Sequence, residues 1–153
     1  MKKFAPLFFA TAVLFSCGEE TKEPEIKTEQ KNTPAVPVIS YSVSNKYPHD
    51  TLAFTEGFLV HKGQLFESTG SPDNLPKTRS VFGITDLKTG KIEVKVELDR
   101  KKFFGEGIVI LNDKLYQVTY KNQIGFIYDL KTFKKTSEFT YTNKEGWGLT
   151  TDG

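Results

Sequence analysis

Residues 105–118 read GEGIVILNDKLYQV, two short apolar runs joined by an Asn-Asp pair. Runs of this length around a tight turn predict a β-hairpin. The same pattern occurs at residues 55–68, where TEGFLV and QLFES flank a turn with Lys-Gly. A third copy starts with GWGLT at residues 146–150. The aligned glycines are separated by 50 and 41 residues, which indicates a repeating hairpin unit. They are Gly57, Gly107 and Gly148.

A second marker repeats with a similar period. The turn DLKTGK at residues 86–91 recurs as DLKTFK at residues 129–134, 43 residues later. Short strands with regular turns are typical of an all-β sandwich, barrel or propeller. Four strands in each unit of about 40 to 50 residues favour the β-propeller. The turns are predicted to join Ser80 to Thr85 with Ile92 to Leu98, and Gly125 to Tyr128 with Phe133 to Tyr141.

The folded part is predicted at residues 38–153, which amounts to about two and a half propeller blades. A first strand is predicted where Ile39, Tyr41 and Val43 alternate with polar residues. The last predicted strand, at residues 146–150, is expected to have an unpaired edge. Because a closed propeller has at least about four blades, we expect these residues to be the N-terminal part of a longer propeller. The alternative is that several copies of the chain assemble to close one propeller ring.

Residues 1–17 have the organisation of a bacterial export signal. Two lysines precede an apolar run of about a dozen residues, which is too short to span a bilayer. The run ends at Cys17, the single cysteine, so no disulfide can form within the chain. Its ending, LFSC, resembles a lipobox, which implies lipidation of Cys17 and an anchor on the periplasmic or cell-surface face of a bacterial membrane. An ordinary signal peptide is the alternative. Residues 18–37 are rich in Glu, Lys, Thr and Pro and are predicted to be a disordered tether.

The composition excludes several classes of function. A net charge of +2 lacks the basic excess that a nucleic-acid-binding surface needs. The sequence contains no Gly-rich phosphate loop, nucleophile elbow or Cys-His cluster. His49 and His61 stand alone, without metal-ligand spacing, and are interpreted as surface or strand-end residues. No metal site and no cofactor are therefore predicted.

Candidate site residues cluster at the starts of the repeats. The inner strand of each propeller blade lines the central channel, and ligands bind at its mouth. Glycine at these starts allows close approach of the backbones. Carboxylates beside aromatic rings suit a cationic peptide end. For the aromatic residues, a place in the core is the alternative. The residues at the repeat starts are Phe54, Glu56, Phe104, Glu106, Glu145 and Trp147, and Tyr120 follows in the second unit.

Three motifs resemble those of the glutamine cyclotransferase family of the plant and bacterial type. They are YPHD and AFTEG within residues 47–57, FGEG and LYQVTY within residues 104–120, and EGWGLT at residues 145–150. The motifs occur in the order of the family and at the spacing of the blades. The resemblance implies a five-bladed propeller that converts an N-terminal glutamine into pyroglutamate and releases ammonia, without a catalytic zinc. Peptides or proteins with an N-terminal glutamine would be its partners.

The resemblance also implies roles for individual residues. Glu106 would be the general acid and base, beside an apolar wall that raises its pKa. Many relatives have Gln in place of Glu56 and Trp in place of Tyr120. A propeller that binds a ligand or protein without chemistry is the alternative function. A metal-dependent lyase or lactonase would need channel ligands that are not seen in the sequence. The substrate-binding residues implied by the resemblance are Phe54, Glu56, Phe104, Tyr120 and Trp147.

Overall fold

The structure of the protein is a computed structural model that describes residues 36–153. The predicted signal peptide at residues 1–17 and the lipidation site at Cys17 lie outside the described residues. The same holds for the predicted tether at residues 18–37, apart from its last two residues. The secondary structure described below therefore concerns the predicted propeller alone.

Eight strands form two four-stranded antiparallel sheets, in the orders β1-β2-β3-β4 and β5-β6-β7-β8. Each strand pairs with its neighbour along the chain, as the repeat predicts. Residues 36–153 contain no helix that is long and apolar enough to cross a membrane. The prediction of an all-β propeller section is confirmed. The strands are β1 Phe54–His61, β2 Gln64–Gly70, β3 Val81–Thr85, β4 Ile92–Glu97, β5 Gly105–Leu111, β6 Lys114–Thr119, β7 Ile124–Asp129 and β8 Lys135–Thr140.

The repeated DLKT turns join the outer strands of each sheet in the same way. In the first, the amide of Lys88 donates to Asp86 Oδ1 at 2.8 Å. In the second, the amide of Thr132 donates to Asp129 Oδ1 at 2.7 Å. Hydrogen bonds to the ionised carboxylates hold the pKa of both aspartates below the usual range. The aspartate at each turn therefore replaces a backbone acceptor, which explains why this motif recurs.

The core lies between the two sheets and is mostly aromatic. The rings of Phe82 and Tyr128 meet edge to face, with centroids 4.9 Å apart. Burial raises the pKa of Tyr128 above its usual range. Large rings at alternate strand positions thus fill the space between two pleated surfaces. The buried cluster consists of Phe66, Phe82, Ile108, Leu115, Phe126 and Tyr128.

The inner strands approach each other at the aligned glycines. A Cβ atom on Gly57 would lie 3.3 Å from the Cα of Gly107. A Cβ atom on Gly107 would lie 2.6 Å from the carbonyl oxygen of Trp147 and 2.7 Å from the Cα of Gly148. The amide of Gly107 also donates to the carbonyl oxygen of Trp147 at 3.0 Å. The close backbone approach predicted at these glycines is therefore present, and it brings the three repeat starts together.

Two predicted strands do not form. Residues 38–43 have no strand pairing, and Ile39 and Tyr41 are almost fully exposed. Residues 146–150 also form no strand. The pattern predicts which face of a strand would be apolar, but a strand forms only where a neighbour completes the hydrogen-bond ladder. Residues 146–150 form two backbone hydrogen bonds with the second unit, one from the amide of Gly107 to Trp147 and one from the amide of Gly146 to Tyr120, and these do not make a ladder.

Candidate active site

Two β-bulges direct carboxyl groups toward the same place. The β1–β2 ladder has a bulge at Glu56, and the β5–β6 ladder has a bulge that contains Glu106. Bulges bend a strand and redirect its side chains, and they are common beside active sites. Two consecutive hydrogen bonds fix the second bulge. Ser68 Oγ donates to the carbonyl oxygen of Glu106 at 2.5 Å, and Gln117 Nε2 donates to Ser68 Oγ at 3.1 Å.

The carboxyl groups of Glu56 and Glu106 are neighbours, and each affects the pKa of the other. Glu106 is only 2% exposed. Burial, the charge of Glu56, their hydrogen bond and the charge of Glu145 raise the pKa of Glu106 to about 8. Burial also raises the pKa of Glu56, although the hydrogen bond to Glu106 opposes this. With this raised pKa, Glu106 is expected to keep its proton at neutral pH, and the two interacting carboxyl groups titrate together.

Four aromatic rings form a continuous row beside this pair. The ring centroids of Phe54 and Phe104 are 6.2 Å apart, those of Phe104 and Tyr120 are 5.8 Å apart, and those of Tyr120 and Trp147 are 5.2 Å apart. Phe54 is 40% exposed and Trp147 is 57% exposed. These two rings are therefore not part of the buried core of residues 36–153. Aromatic faces open to solvent next to a carboxyl pair suit a ligand with a positive charge and an apolar stem.

Glu145 is a third carboxyl group of the site, and the sequence reasoning assigned it no role. Desolvation, together with the neighbouring Glu145, raises the pKa of Tyr120. The segment is held by the amide of Gly146, which donates to the carbonyl oxygen of Tyr120 at 2.8 Å. A signal was present in the repeat: Glu145 stands three residues before an aligned glycine, where the first two units have Phe54 and Phe104.

A buried polar network supports the first bulge from below. Glu67 on β2 is fully buried, and its Oε1 atom accepts from Thr55 Oγ1 at 2.7 Å. The same oxygen lies 2.7 Å from His49 Nε2. Its other oxygen accepts from Thr85 Oγ1 at 2.7 Å. His49 is exposed, as its interpretation as a surface residue predicts, and its ring also joins the entry segment to β2. Since Thr55 directly precedes Glu56, the network fixes the strand at the point where it bulges.

Replacing Glu67 with alanine is expected to lower the free energy of unfolding by about 3 kcal/mol. The change leaves the buried donor groups of Thr55 and Thr85 without an acceptor and creates a cavity. Urea unfolding of the protein at its full natural length measures the effect. Glu97→Ala is the matched control, because Glu97 forms an exposed ion pair with Arg79 and its loss should cost at most about 1 kcal/mol. Equal losses in the two variants would show that the network is not a special source of stability.

The sequence-predicted site residues thus come together in the structure. Glu106, Glu56 and the four aromatic residues lie at the starts of the inner strands and the adjoining loops. Within residues 36–153, no group of three or more His, Cys, Asp or Glu side chains is arranged to hold a metal ion. What the arrangement offers chemically is a buried carboxyl group with a raised pKa, two further carboxyl groups, and an aromatic wall.

These features define a class of protein: a β-propeller with a carboxyl-centred site at one end of its inner strands. The glutamine cyclotransferase family matches residues 11–153, and the chain belongs to that family. Over 109 residues it is 43% identical to a glutaminyl-peptide cyclotransferase from Arabidopsis thaliana, an alignment that covers 71% of this chain. The chain spans 32% of the length of that relative.

A solved structure shows the same likeness. The crystal structure of Myxococcus xanthus glutaminyl cyclase matches with a TM-score of 0.56 and 30% sequence identity. The match covers 67% of this chain and 40% of the Myxococcus chain. The resemblance inferred from the three motifs is therefore confirmed at the level of the family and the fold.

Proposed function

We propose that the protein is a glutaminyl-peptide cyclotransferase, which converts an N-terminal glutamine into pyroglutamate and releases ammonia. The observation that carries the proposal is the buried carboxyl group of Glu106, whose pKa is raised and which lies near Glu56 and an open aromatic wall. Membership of the family and the similarity to two named cyclases support the same reaction.

The reaction requires one proton to move between two nitrogen atoms. The neutral α-amine of the substrate attacks the carbon of its own side-chain amide, forming the ring C–N bond. Glu106 in its ionised form takes a proton from the attacking nitrogen. When the bond to the amide nitrogen breaks, Glu106 returns that proton, and the nitrogen leaves as ammonia. A carboxyl group with a pKa near the working pH suits both steps.

The other side chains position the substrate. Phe54, Phe104, Tyr120 and Trp147 enclose the apolar part of the glutamine side chain, and their ring faces favour its ammonium group before it loses a proton. Glu145, which lies next to Tyr120, would attract the same ammonium group. Holding amine and amide in contact converts the reaction into a well-oriented intramolecular step.

An ammonia-release assay tests the proposal. The natural protein, lacking only residues 1–37, is incubated with a Gln-Ala dipeptide in the presence of a chelator. Ammonia release is measured, and pyroglutamyl-alanine is measured by mass spectrometry. We expect both products in equal amounts. Folded protein that binds the dipeptide without releasing ammonia would instead indicate a propeller that only binds its ligand.

We also propose that the protein is exported and anchored through a lipid on Cys17. The support is the sequence alone: a short apolar run that ends at the single cysteine. Cys17→Ser is expected to move the protein from the membrane fraction to the soluble fraction of cells. An unchanged distribution would leave an ordinary signal peptide as the explanation of residues 1–17.

Replacing Glu56 with glutamine is expected to move the pH dependence of kcat/KM to lower pH by about one unit. The charge of Glu56 helps to raise the pKa of Glu106, so its removal lets Glu106 ionise at lower pH. Activity that depends on ionised Glu106 rises as the pH passes through this pKa, and the rising limb moves with it. Burial and Glu145 still act on Glu106 in the variant, so the pKa stays above its ordinary value. A rising limb that does not move would show that Glu56 does not influence the titrating group.

A further inference from the structure

A groove of about 470 Å³ opens beside the aromatic row. It lies at the end of the sheets where β2 and β6 end and β5 begins. It lies among the loops that follow these strands and precede β5. Two of its lining residues, Phe104 and Tyr120, are also members of the aromatic row. The groove is therefore continuous with the candidate active site and leads away from it.

The groove is strongly basic. Four cationic side chains line it, and Asp73 is the one carboxylate among its lining residues. The cations are Arg100, Lys101, Lys102 and Lys121. Such a concentration of one charge in a concave surface attracts ligands of the opposite charge. The whole chain has a net charge of only +2, so this excess of cations is local to the groove.

The cations differ in how far they are already engaged. Arg100 is structural, because its guanidinium group donates to the carbonyl oxygens of Pro76 at 2.6 Å and Thr78 at 3.2 Å. Lys102 Nζ lies 3.6 Å from Asp99 Oδ2. Lys121 Nζ stands 4.7 Å from the ring centroid of Tyr120 and forms no ion pair with a described carboxylate. Lys101 is exposed, and its ammonium group likewise has no described partner. Two ammonium groups are thus available to a ligand.

We propose that this groove binds the part of the peptide that follows the N-terminal glutamine, and that it favours substrates with acidic side chains there. The inference rests on the proposed function, because it assumes that the glutamine occupies the site beside the aromatic row. An extended peptide advances about 3.3 Å per residue, so the second to fourth residues would pass Tyr120 and reach Lys101 and Lys121. The carboxylate of each acidic side chain would meet an ammonium group on a wall that also has aromatic rings.

The test compares kcat/KM of the protein at its full natural length for amidated peptides that differ in one residue. The first set is Gln-Ala-Glu-Ala, Gln-Ala-Gln-Ala and Gln-Ala-Lys-Ala, in which the third residue is acidic, neutral or basic. Two further sets place this variable residue at position two or at position four. We expect the glutamate peptide to exceed the neutral one about fivefold, and the lysine peptide to fall below it. The preference should weaken as salt is raised, because exposed charges are screened. Equal values for all three peptides at every position would overturn the proposal.

A double variant shows whether the groove causes the preference. In Lys101→Gln with Lys121→Gln, the ratio between the glutamate and neutral peptides should fall to about one. The control is the double variant Lys88→Gln with Lys131→Gln, which removes the same charge from turns at the opposite end of the strands. It should leave the ratio between the glutamate and neutral peptides unchanged. An equal fall in this control would mean that overall charge, and not the groove, sets the preference.

The outcome also separates this proposal from the proposed function. Ammonia release from the neutral peptide without an acidic preference would overturn the groove alone. If no peptide releases ammonia, the proposed function fails, and calorimetry with the same peptides then decides on the groove. Tighter binding of the glutamate peptide that is lost in the Lys101 and Lys121 double variant would support the groove even then. Equal binding of the glutamate and lysine peptides would overturn it.

Discussion

Replacing Glu106 with glutamine is expected to lower kcat by about 10²–10⁴-fold, the range for the loss of a general acid and base. Glutamine keeps the shape of the side chain and can donate to Glu56, so the site stays packed. It has no group that titrates near pH 8, and it cannot carry a proton from the attacking amine to the leaving nitrogen. Single-turnover measurements of ammonia release would report the loss in the chemical step itself.

Folding of this variant is expected to be normal. An ionised carboxylate is costly in a buried position, and the amide removes that cost, so the melting temperature should be equal or higher. Glu138→Gln is the control, because this carboxylate lies exposed on β8; it should leave kcat unchanged. If Glu106→Gln retained the activity of the natural protein, Glu106 would have no part in proton transfer.

Replacing Gly107 with alanine is expected to destabilise the protein by about 3 kcal/mol and to lower activity as well. The φ angle of Gly107 is not in the left-handed region, so an alanine could adopt it. Space is the obstacle, because the new Cβ atom would meet backbone atoms of Trp147 and Gly148 at 2.6 and 2.7 Å. Backbone cannot rotate away as a side chain can, and the segment that carries Trp147 must move. Urea unfolding and kcat/KM on the same sample would record both losses.

Gly57→Ala is the matched control for this prediction. It is the aligned glycine of the first unit, but its Cβ atom would stay 3.3 Å from the nearest atoms. We expect a change within about 1 kcal/mol, because a slight shift of the neighbour is offset by the lower entropy of the unfolded chain. Equal destabilisation by the two alanines would show that the close contact at Gly107 is not the cause.

The repeat explains why so much of the fold could be predicted. Two copies of a hairpin and two copies of a DLKT turn define the strands and their order, since neighbouring strands along the chain pair directly. Glycines at a constant place in each copy identify the ends that meet, and those ends locate Glu106 and Trp147. These are local patterns, which a sequence displays directly.

Interactions that depend on distant parts of the chain could not be predicted in this way. Glu67 and His49 are 18 residues apart, and nothing in the sequence indicates that a buried carboxylate joins them. The apolar alternation at residues 38–43 correctly describes a possible strand, but pairing depends on a neighbour that the pattern does not specify. The raised pKa of Glu106 likewise depends on the position of two bulges relative to each other.

The chemistry of the site arises from pseudosymmetry that is broken only in the side chains. The residue directly before the aligned glycine is Glu56 in the first unit, Glu106 in the second and Trp147 in the third. In the first two units this residue lies at a β-bulge of the inner strand, and in the third its carbonyl oxygen accepts from the amide of Gly107. A duplicated unit can therefore acquire a new role by a single codon change, while its copies keep the old one. Acid, base and aromatic wall can evolve separately on a scaffold that does not have to change.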